Sequence, residues 1–438
     1  MNLINSSSIA KNDNELPLKC KGRAAHYYLY LVGLYIIFVF NEFLAKPVDF
    51  YALLLIIIGI PLIKQANIKA ILSSIFDSKS VITIVVSTLI LSVLFFVTTL
   101  FQLPRTSGIV AFFAQYGVHV TLSIMALLII PLNKESANFI FKCLLVALLM
   151  LMLADIALYV WQGLSGQRLG TDYSHRWFGD GYVFLYPFLL VCLLNNKEKS
   201  NLEQRSRSRF LKAALYVILL LVMVLAGGTG ARSTYGIILL QVSLFCYFKC
   251  RQLGLSRLIA IVSTLISFAL VVNFFLAFLS PQLFSWALNR GLNIADRILY
   301  AWDPAIFFIA QSPFIAYGFG SAVWDEAFRS YVISNPNSLN FGSPHNWFLA
   351  AGFFGGVFAI CAQLVMAIGI IYWLYVNIKN NDPEIRFWVL SFLASFISFY
   401  VFKGLVEFTI FKYLSITLIG VFLLNRISLK STIDYPKS

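Results

Sequence analysis

Residues 81–101 decide the fold, and they read VITIVVSTLILSVLFFVTTLF. The run contains no charged residue. As an α-helix rising about 1.5 Å per residue, it is long enough to cross the roughly 30 Å hydrocarbon core of a bilayer. The whole chain shares this character, because 60% of its 438 residues are apolar and only 12% are charged. A soluble domain carries about 25% charged residues. The composition therefore predicts a helical membrane protein and excludes an ordinary soluble one.

Apolar stretches of similar length recur along the chain and predict an all-α polytopic membrane protein with about 12 transmembrane helices. The approximate spans are residues 26–43, 49–63, 81–101, 108–131, 138–162, 180–194, 210–226, 231–249, 257–280, 345–377, 386–402 and 406–425. One long polar break follows the ninth span. It divides the chain into residues 1–280 with the first nine spans, residues 281–344 as one large loop, and residues 345–438 with the last three spans.

The basic residues are distributed unevenly, and their distribution predicts the orientation. Lys11, Lys19, Lys21 and Arg23 precede the first span and place the N-terminus in the cytoplasm, since cytoplasmic loops carry excess Lys and Arg. With twelve spans the C-terminus is cytoplasmic as well. About 22 of the 33 basic residues then lie inside and about nine lie outside. The outside residues are Lys46, Arg105, Arg168, Arg176, Arg232, Arg290, Arg297, Arg329 and Lys403. The net charge of +14 thus indicates anchoring against anionic lipid, not nucleic-acid binding.

A glycine-rich turn, Gly227-Gly228-Thr229-Gly230-Ala231-Arg232-Ser233-Thr234, lies between the seventh and eighth spans on the predicted outer side. Its glycines allow backbone N–H groups to approach a ligand, and Ser233 or Thr234 can cap the eighth span. The helix N-terminus and Arg232 add positive charge, so the turn is a candidate phosphate site around Gly230 and Arg232. The alternative is a flexible turn with a snorkelling arginine.

The large outer loop contains an amphipathic segment that begins at Arg297. The apolar residues that follow are spaced as in a helix lying at the membrane interface. Pro304 is expected to start a second helical piece with Asp303 as its cap. The apolar residues of this segment are Ile298, Leu299, Trp302, Ile306, Phe307 and Ile309. The turn residues Pro313, Gly318 and Gly320 follow them. Arg297 is either a ligand for a substrate phosphate or an interfacial arginine on ordinary lipid.

The loop closes with Pro344-His345-Asn346, just before the tenth span. A neutral imidazole at His345 can accept a proton from a hydroxyl, and a protonated one can bind a phosphate oxygen. The alternative is an interfacial histidine followed by a capping Asn346. Glycines behind it allow close helix packing, and they are Gly352, Gly355 and Gly356.

Two further polar sets lie on the predicted outer side. The loop between the fifth and sixth spans contributes Arg168 and Arg176 as additional candidates for binding a phosphate group. Lys403 and Glu407 flank the last outer turn, where they either line a polar cavity or form a structural salt bridge. The six cysteines show no zinc or disulfide spacing, so no metal site is predicted.

In this order, these motifs resemble the O-antigen ligase family and the wider group that it shares with O-antigen polymerases. The resemblance rests on Arg232 at the outer start of a mid-chain span, Arg297 opening a large aromatic-rich loop, and Pro344 to Asn346 closing it. It implies a GT-C-like fold in the bacterial inner membrane, with a periplasmic loop and a periplasmic active site. His345, Arg232 and Arg297 match the family's functional positions.

The resemblance also implies the reaction. The family transfers a glycan from undecaprenyl diphosphate to a sugar hydroxyl of lipid A–core, without a nucleotide, a metal or another cofactor. Arginines can bind the diphosphate bidentately and stabilise its charge as it leaves. Two alternatives stay open at this point. One is an O-antigen polymerase with the same donor. The other is a transporter for lipid-linked sugars, which the cations gathered on one face disfavour, because transporters bind near the bilayer midplane.

Overall fold

The computed structural model describes most of the helical regions of the chain. The residues described are 23–41, 48–63, 78–102, 105–131, 133–161, 174–194, 213–223, 225–226, 232–252, 254–262, 264–266, 298–335, 340, 342–380, 382–407 and 411–434. Within these ranges every regular element is helical, and no strand occurs. The structure therefore confirms a helical fold.

The helices follow one another in the order expected for a polytopic bundle. They are α1 (Arg23–Phe40), α2 (Val48–Ile63), α3 (Lys79–Phe101), α4 (Arg105–Phe112), α5 (Val118–Ile129), α6 (Lys134–Trp161), α7 (Ser174–Leu194), α8 (Ala213–Met223), α9 (Arg232–Gln252), α10 (Arg257–Ile266), α11 (Asp303–Gln311), α12 (Ser321–Ser334), α13 (Trp347–Asn377), α14 (Pro383–Phe396) and α15 (Lys412–Asp434). Short π-helical segments join α4 to α5, precede α11 and follow α14, and they are Phe113–Gly117, Ile298–Trp302 and Ile397–Lys403.

Among the described residues, six helical stretches are long and apolar enough to cross a membrane. They are Lys79–Phe101, Thr106–Ile129, Lys134–Leu158, Ser233–Arg251, Trp347–Asn377 and Pro383–Lys403. The other predicted spans coincide with shorter apolar helices, namely α1, α2, α7, α8, α10 and α15. The protein is thus a helical membrane protein. The count of twelve spans, like the division at residues 280 and 344, stays a prediction.

Helix α3 shows how this sequence satisfies polar groups inside an apolar bundle. Its hydroxyl side chains bond carbonyls one turn back, as Thr88 does with Ile84 and Thr99 with Phe95. These bonds matter because lipid offers no partners for polar atoms. Thr98 Oγ1 also lies 2.6 Å from the carbonyl oxygen of Phe354 and so links α3 to α13. This contact helps to fix the position of α13, whose first turn follows His345.

The chain between α11 and α12 makes the turn that the sequence predicts. Gly318 and Gly320 adopt φ values of +89° and +114°, which favour glycine. The turn docks on α13, because the N–H of Val357 donates to the carbonyl of Pro313 over 2.8 Å. At Gly356 φ is +77°, and a Cβ there would lie 2.5 Å from the Pro313 oxygen. A glycine break in α13 thus receives the chain between α11 and α12. The close helix packing expected of the α13 glycines is seen at Gly352, where a Cβ would lie 2.6 Å from Ile309 of α11.

The segment that contains α11 is a continuous helix, contrary to the expected break at Asp303. The chain is already helical at Trp302, so Asp303 is the first residue of α11 and not its cap. Pro304 lies in the first turn as expected, since it has no N–H to lose there. The helix is amphipathic: Phe308 is buried, whereas Ile306 is exposed. Its buried face packs against α13.

Candidate functional site

A buried cation lies at the end of the bundle predicted to face outward, where α7, α9 and α13 begin. The Lys403 side chain is 0% exposed and forms an ion pair with Asp180 of α7, which is 1% exposed. Its Nζ also lies 3.5 Å from a Glu407 carboxylate oxygen and donates to Thr234 of α9 over 3.0 Å. Burying charge in a membrane protein is costly, so such a group indicates a functional region.

Glycine permits this close assembly. A Cβ at Gly179 would lie 2.5 Å from Thr234 Oγ1, so only glycine lets α7 approach α9 here. The next residue is Asp180, which therefore reaches Lys403 at the crossing of the two helices. Local sequence thus prepares one side of the ion pair: a small residue brings the backbones of α7 and α9 together, and its acidic neighbour lies where Lys403 reaches it.

Glu407 ties the start of α9 to the short turn formed by residues 403–407, called the 403–407 turn below. The hydroxyl of Ser233 donates to Glu407 Oε1 over 2.6 Å. The expectation that Ser233 or Thr234 caps the helix is wrong, because α9 already begins at Arg232. Both side chains bond the 403–407 turn instead. Arg232 is therefore the first residue of a helix anchored at this turn.

The Pro-His-Asn motif reaches the same turn. Asn346 donates from Nδ2 to the carbonyl of Leu405 over 3.0 Å. Its Oδ1 accepts the backbone N–H groups of Phe348 and Leu349 at 2.9 and 3.0 Å, which confirms the capping role that the alternative interpretation of this motif gave to Asn346. His345 has φ +47°, a left-handed conformation that costs a non-glycine residue about 1–2 kcal/mol. The Asn346 side chain bonds both the first turn of α13 and the 403–407 turn, and these contacts hold His345 in this conformation.

The loop segment that opens after Arg297 also contacts the motif. Trp302 Nε1 donates to the carbonyl of His345 over 3.4 Å. Trp302 closes the π-helical segment Ile298–Trp302, whose first residue follows Arg297 directly in the chain. Three stretches that are distant in sequence therefore meet: the start of α9, the segment after Arg297 and the motif at His345.

The sequence-predicted residues fall into three groups. His345 and the backbone of Arg232 lie at this meeting point, and Arg176 lies in the first turn of α7, ahead of Asp180. Arg168, Gly230 and Arg297 lie outside the described residues. Lys403 and Glu407 form a salt bridge, which is one of the two arrangements that the sequence predicts for them. Among the described residues, no group of three or more His, Cys, Asp or Glu side chains is arranged to hold a metal ion.

Sequence reasoning missed Asp180. The signal was present, since an acidic residue between two glycines opens an otherwise apolar span. An ionisable residue inside a membrane helix is by default a candidate functional residue. Its partner was not deducible, because Lys403 lies on a distant helix and only the folded structure brings the two together.

Fold and site together define a polytopic helical membrane protein with a buried ionic network where three polar segments converge. The chain is 27% identical over 292 residues to the O-antigen ligase of Salmonella typhimurium, and this match covers 66% of the chain and 69% of that protein. No protein-family model matches the chain. The similarity supports assignment to the O-antigen ligase family and suggests that the protein is an enzyme.

Proposed function

We propose that this protein is an O-antigen ligase, a glycosyltransferase of the bacterial inner membrane. It moves an O-antigen glycan from undecaprenyl diphosphate to a sugar hydroxyl of lipid A–core at the periplasmic face. The observation that carries the proposal is a convergence of three segments: the α9 start and the His345 motif both bond the 403–407 turn, and the segment after Arg297 contacts the motif. The orientation predicted from the basic residues places this turn outside, with both chain termini in the cytoplasm.

Each convergent segment supplies one residue with a suitable chemistry. Arg232 and Arg297 bind the diphosphate and stabilise the negative charge that grows on it as the sugar departs. Backbone N–H groups at the start of α9, next to Gly230, add donors for phosphate oxygens. Arg168, which precedes α7 in the chain, and Arg176, in the first turn of α7, contribute further positive charge. Lys403 is fully buried, so its role is to position α7, α9 and the 403–407 turn.

The transfer step requires only side chains of this protein and the two substrates. The acceptor hydroxyl oxygen attacks the anomeric carbon, and the bond from that carbon to the diphosphate oxygen breaks. Undecaprenyl diphosphate leaves as an anion, and the hydroxyl proton passes to a base. His345 is suited to take this proton, or to hold a phosphate oxygen if it is already protonated. No nucleotide or metal takes part, so EDTA should leave the activity of the purified enzyme unchanged.

Reconstitution of the purified protein in liposomes tests this function. The vesicles contain undecaprenyl-diphosphate-linked glycan as donor and lipid A–core as acceptor. Formation of glycan-bearing lipid A–core supports the ligase. Donor chains that lengthen without lipid A–core being modified would instead identify a polymerase. Movement of the donor across the bilayer without any new glycosidic bond would identify a transporter.

A further inference from the structure

A second polar network lies between α1, α2, α5 and α15, and the sequence analysis assigned none of its members. Lys412 Nζ lies 2.8 Å from Asp49 Oδ1, and His119 Nε2 lies 3.0 Å from the same oxygen. On the other edge of the imidazole, Tyr35 Oη lies 2.6 Å from His119 Nδ1 and 2.9 Å from Ser415 Oγ. Four helices thus meet through five polar side chains within an apolar bundle.

Hydrogen-bond chemistry fixes the role of the imidazole. His119 Nε2 faces two acceptors, Asp49 Oδ1 and the carbonyl oxygen of Ala114 at 2.9 Å, so it must carry a hydrogen. The Tyr35 hydroxyl can either donate to Nδ1 or accept from it, with Ser415 as its second partner. His119 is 0% exposed and therefore acts from within the protein. It aims a donor at Asp49 and holds that carboxylate in place.

Asp49 is the member of this network that reaches the surface. Its side chain is 31% exposed, whereas Lys412 is 8% exposed. Lys412 and His119 both contact Oδ1, so Oδ2 is the oxygen to which a ligand contact is assigned. Two donors on one oxygen stabilise the anionic form, so Asp49 is suited to accept hydrogen bonds and poorly suited to take up a proton.

The two networks flank one short connection. Residues 404–411 run from Lys403 of the candidate site to Lys412, and nine residues of chain span at most about 30 Å. Phe411 lies between them: its ring centroid is 5.4 Å from that of Tyr116, on the turn before His119. It is also 6.3 Å from the ring of Trp347, which follows the His345 motif. The Asp49 network is therefore linked through one aromatic ring, that of Phe411, to the residue that follows the His345 motif.

We propose that Asp49 is part of the acceptor subsite, where its Oδ2 accepts a hydrogen bond from a sugar hydroxyl of the acceptor glycolipid. This inference rests on the proposed function, because it names where the second substrate of that reaction is held. A transferase that binds an anionic diphosphate with arginines needs separate recognition for a polyhydroxylated partner. A fixed carboxylate meets that need, because charged acceptors form strong bonds with hydroxyl donors.

The reconstituted liposome assay tests the proposal through Asp49→Asn, which keeps the shape of the side chain but replaces one carboxylate oxygen by an amide donor. Loss of a charge-assisted hydrogen bond should raise the KM for lipid A–core about tenfold or more, with the KM for the lipid-linked donor unchanged. Asp382→Asn is the matched control, since Asp382 also forms an ion pair with a lysine, Lys134, far along the chain. It should change neither KM.

Three results would overturn the inference. They are an unchanged acceptor KM in Asp49→Asn, a raised donor KM, or a lower kcat with both KM values intact. If Asp49→Asn does not accumulate, Tyr35→Phe decides, because it loosens His119 without altering the carboxylate. It should raise the acceptor KM about threefold, and an unchanged value would count against the proposal. An inactive wild-type protein would refute the proposed function itself, which keeps the two failures distinct.

Discussion

The Lys403 and Asp49 networks contain similar groups but differ in their access to the surface. Lys403 and Asp180 are 0% and 1% exposed, so no substrate reaches their charges. Asp49 is 31% exposed and has buried partners behind it. A fully buried ion pair can only hold helices in position, whereas a partly exposed one can also bind a ligand. The comparison suggests that this protein uses one network to position its active-site segments and the other to contact substrate.

Lys403→Met should have the largest effect, because it removes the ammonium group that Asp180 and Glu407 share. Removing one partner of a buried ion pair costs about 3–5 kcal/mol, so the free energy of unfolding should fall by that amount. Thermal unfolding of the purified protein in detergent measures the change. The double variant Lys403→Met with Asp180→Leu should recover part of the loss, since it removes both charges of the main pair. A wild-type melting temperature for Lys403→Met would contradict the role of Lys403 in holding the helices in position.

Arg232→Ala, Arg297→Ala and His345→Ala should each lower glycan attachment about 100-fold or more, the scale seen when a charge-stabilising donor is lost. The protein should still accumulate, because these residues act on substrate. Lipopolysaccharide gels together with immunoblots measure attachment and protein level. Arg329→Ala is the control, since this exposed arginine pairs with Glu326 on the surface of α12. Normal attachment in both arginine variants would eliminate the phosphate-binding role.

Substitutions at Asn346 separate its capping role from its contact with the 403–407 turn. Asn346→Ala removes both and should cost about 1 kcal/mol of stability. Asn346→Ser keeps a side-chain cap but is too short to reach the carbonyl of Leu405. If the turn positions His345, attachment should fall in both variants, while stability falls mainly in Asn346→Ala. Full activity of Asn346→Ser would show that the cap alone matters.

The smallest effect is expected at the Lys134–Asp382 pair. Burial raises the pKa of the Asp382 carboxyl, but Lys134 and the N–H groups of Glu384 and Ile385 outweigh it and lower the pKa overall. A lowered pKa stabilises the fold above the ordinary value of about 3.9, and this contribution is lost as the pH falls through the folded-state pKa. Lys134→Ala should therefore destabilise by less than about 1 kcal/mol at pH 7 and by a smaller amount near pH 3, because the contribution declines as the pH falls towards the folded-state pKa of Asp382. Unfolding at both pH values measures this, and an equal effect at each would refute it.

The sequence predicted the helical class and the location of the apolar helices, because hydropathy and helix length are local properties; it did not predict α12. It also predicted the turn at Gly318 and Gly320 and the cap at Asn346, which depend on neighbouring residues. It did not reveal the pairing of Lys403 with Asp180, since distant residues meet only after folding. His119 was equally invisible as a network member, because its side-chain partners Tyr35 and Asp49 come from two other helices.

The error at Asp303 has a local physical reason. A proline after an acidic residue commonly marks a helix start, and the sequence pattern was read in that way. In the structure the chain is already helical at Trp302, and a π-helical turn leads directly into α11. Proline is tolerated early in a helix whether or not another helical turn precedes it. A residue pattern alone did not distinguish these two cases.

A lipopolysaccharide gel of a strain that lacks this gene tests the central claim most directly. We expect lipid A–core without attached glycan, together with full-length polymer that remains on undecaprenyl diphosphate. Lipid A–core bearing a single repeat unit would contradict it in favour of a polymerase. An unchanged ladder would contradict any role in building or attaching the glycan.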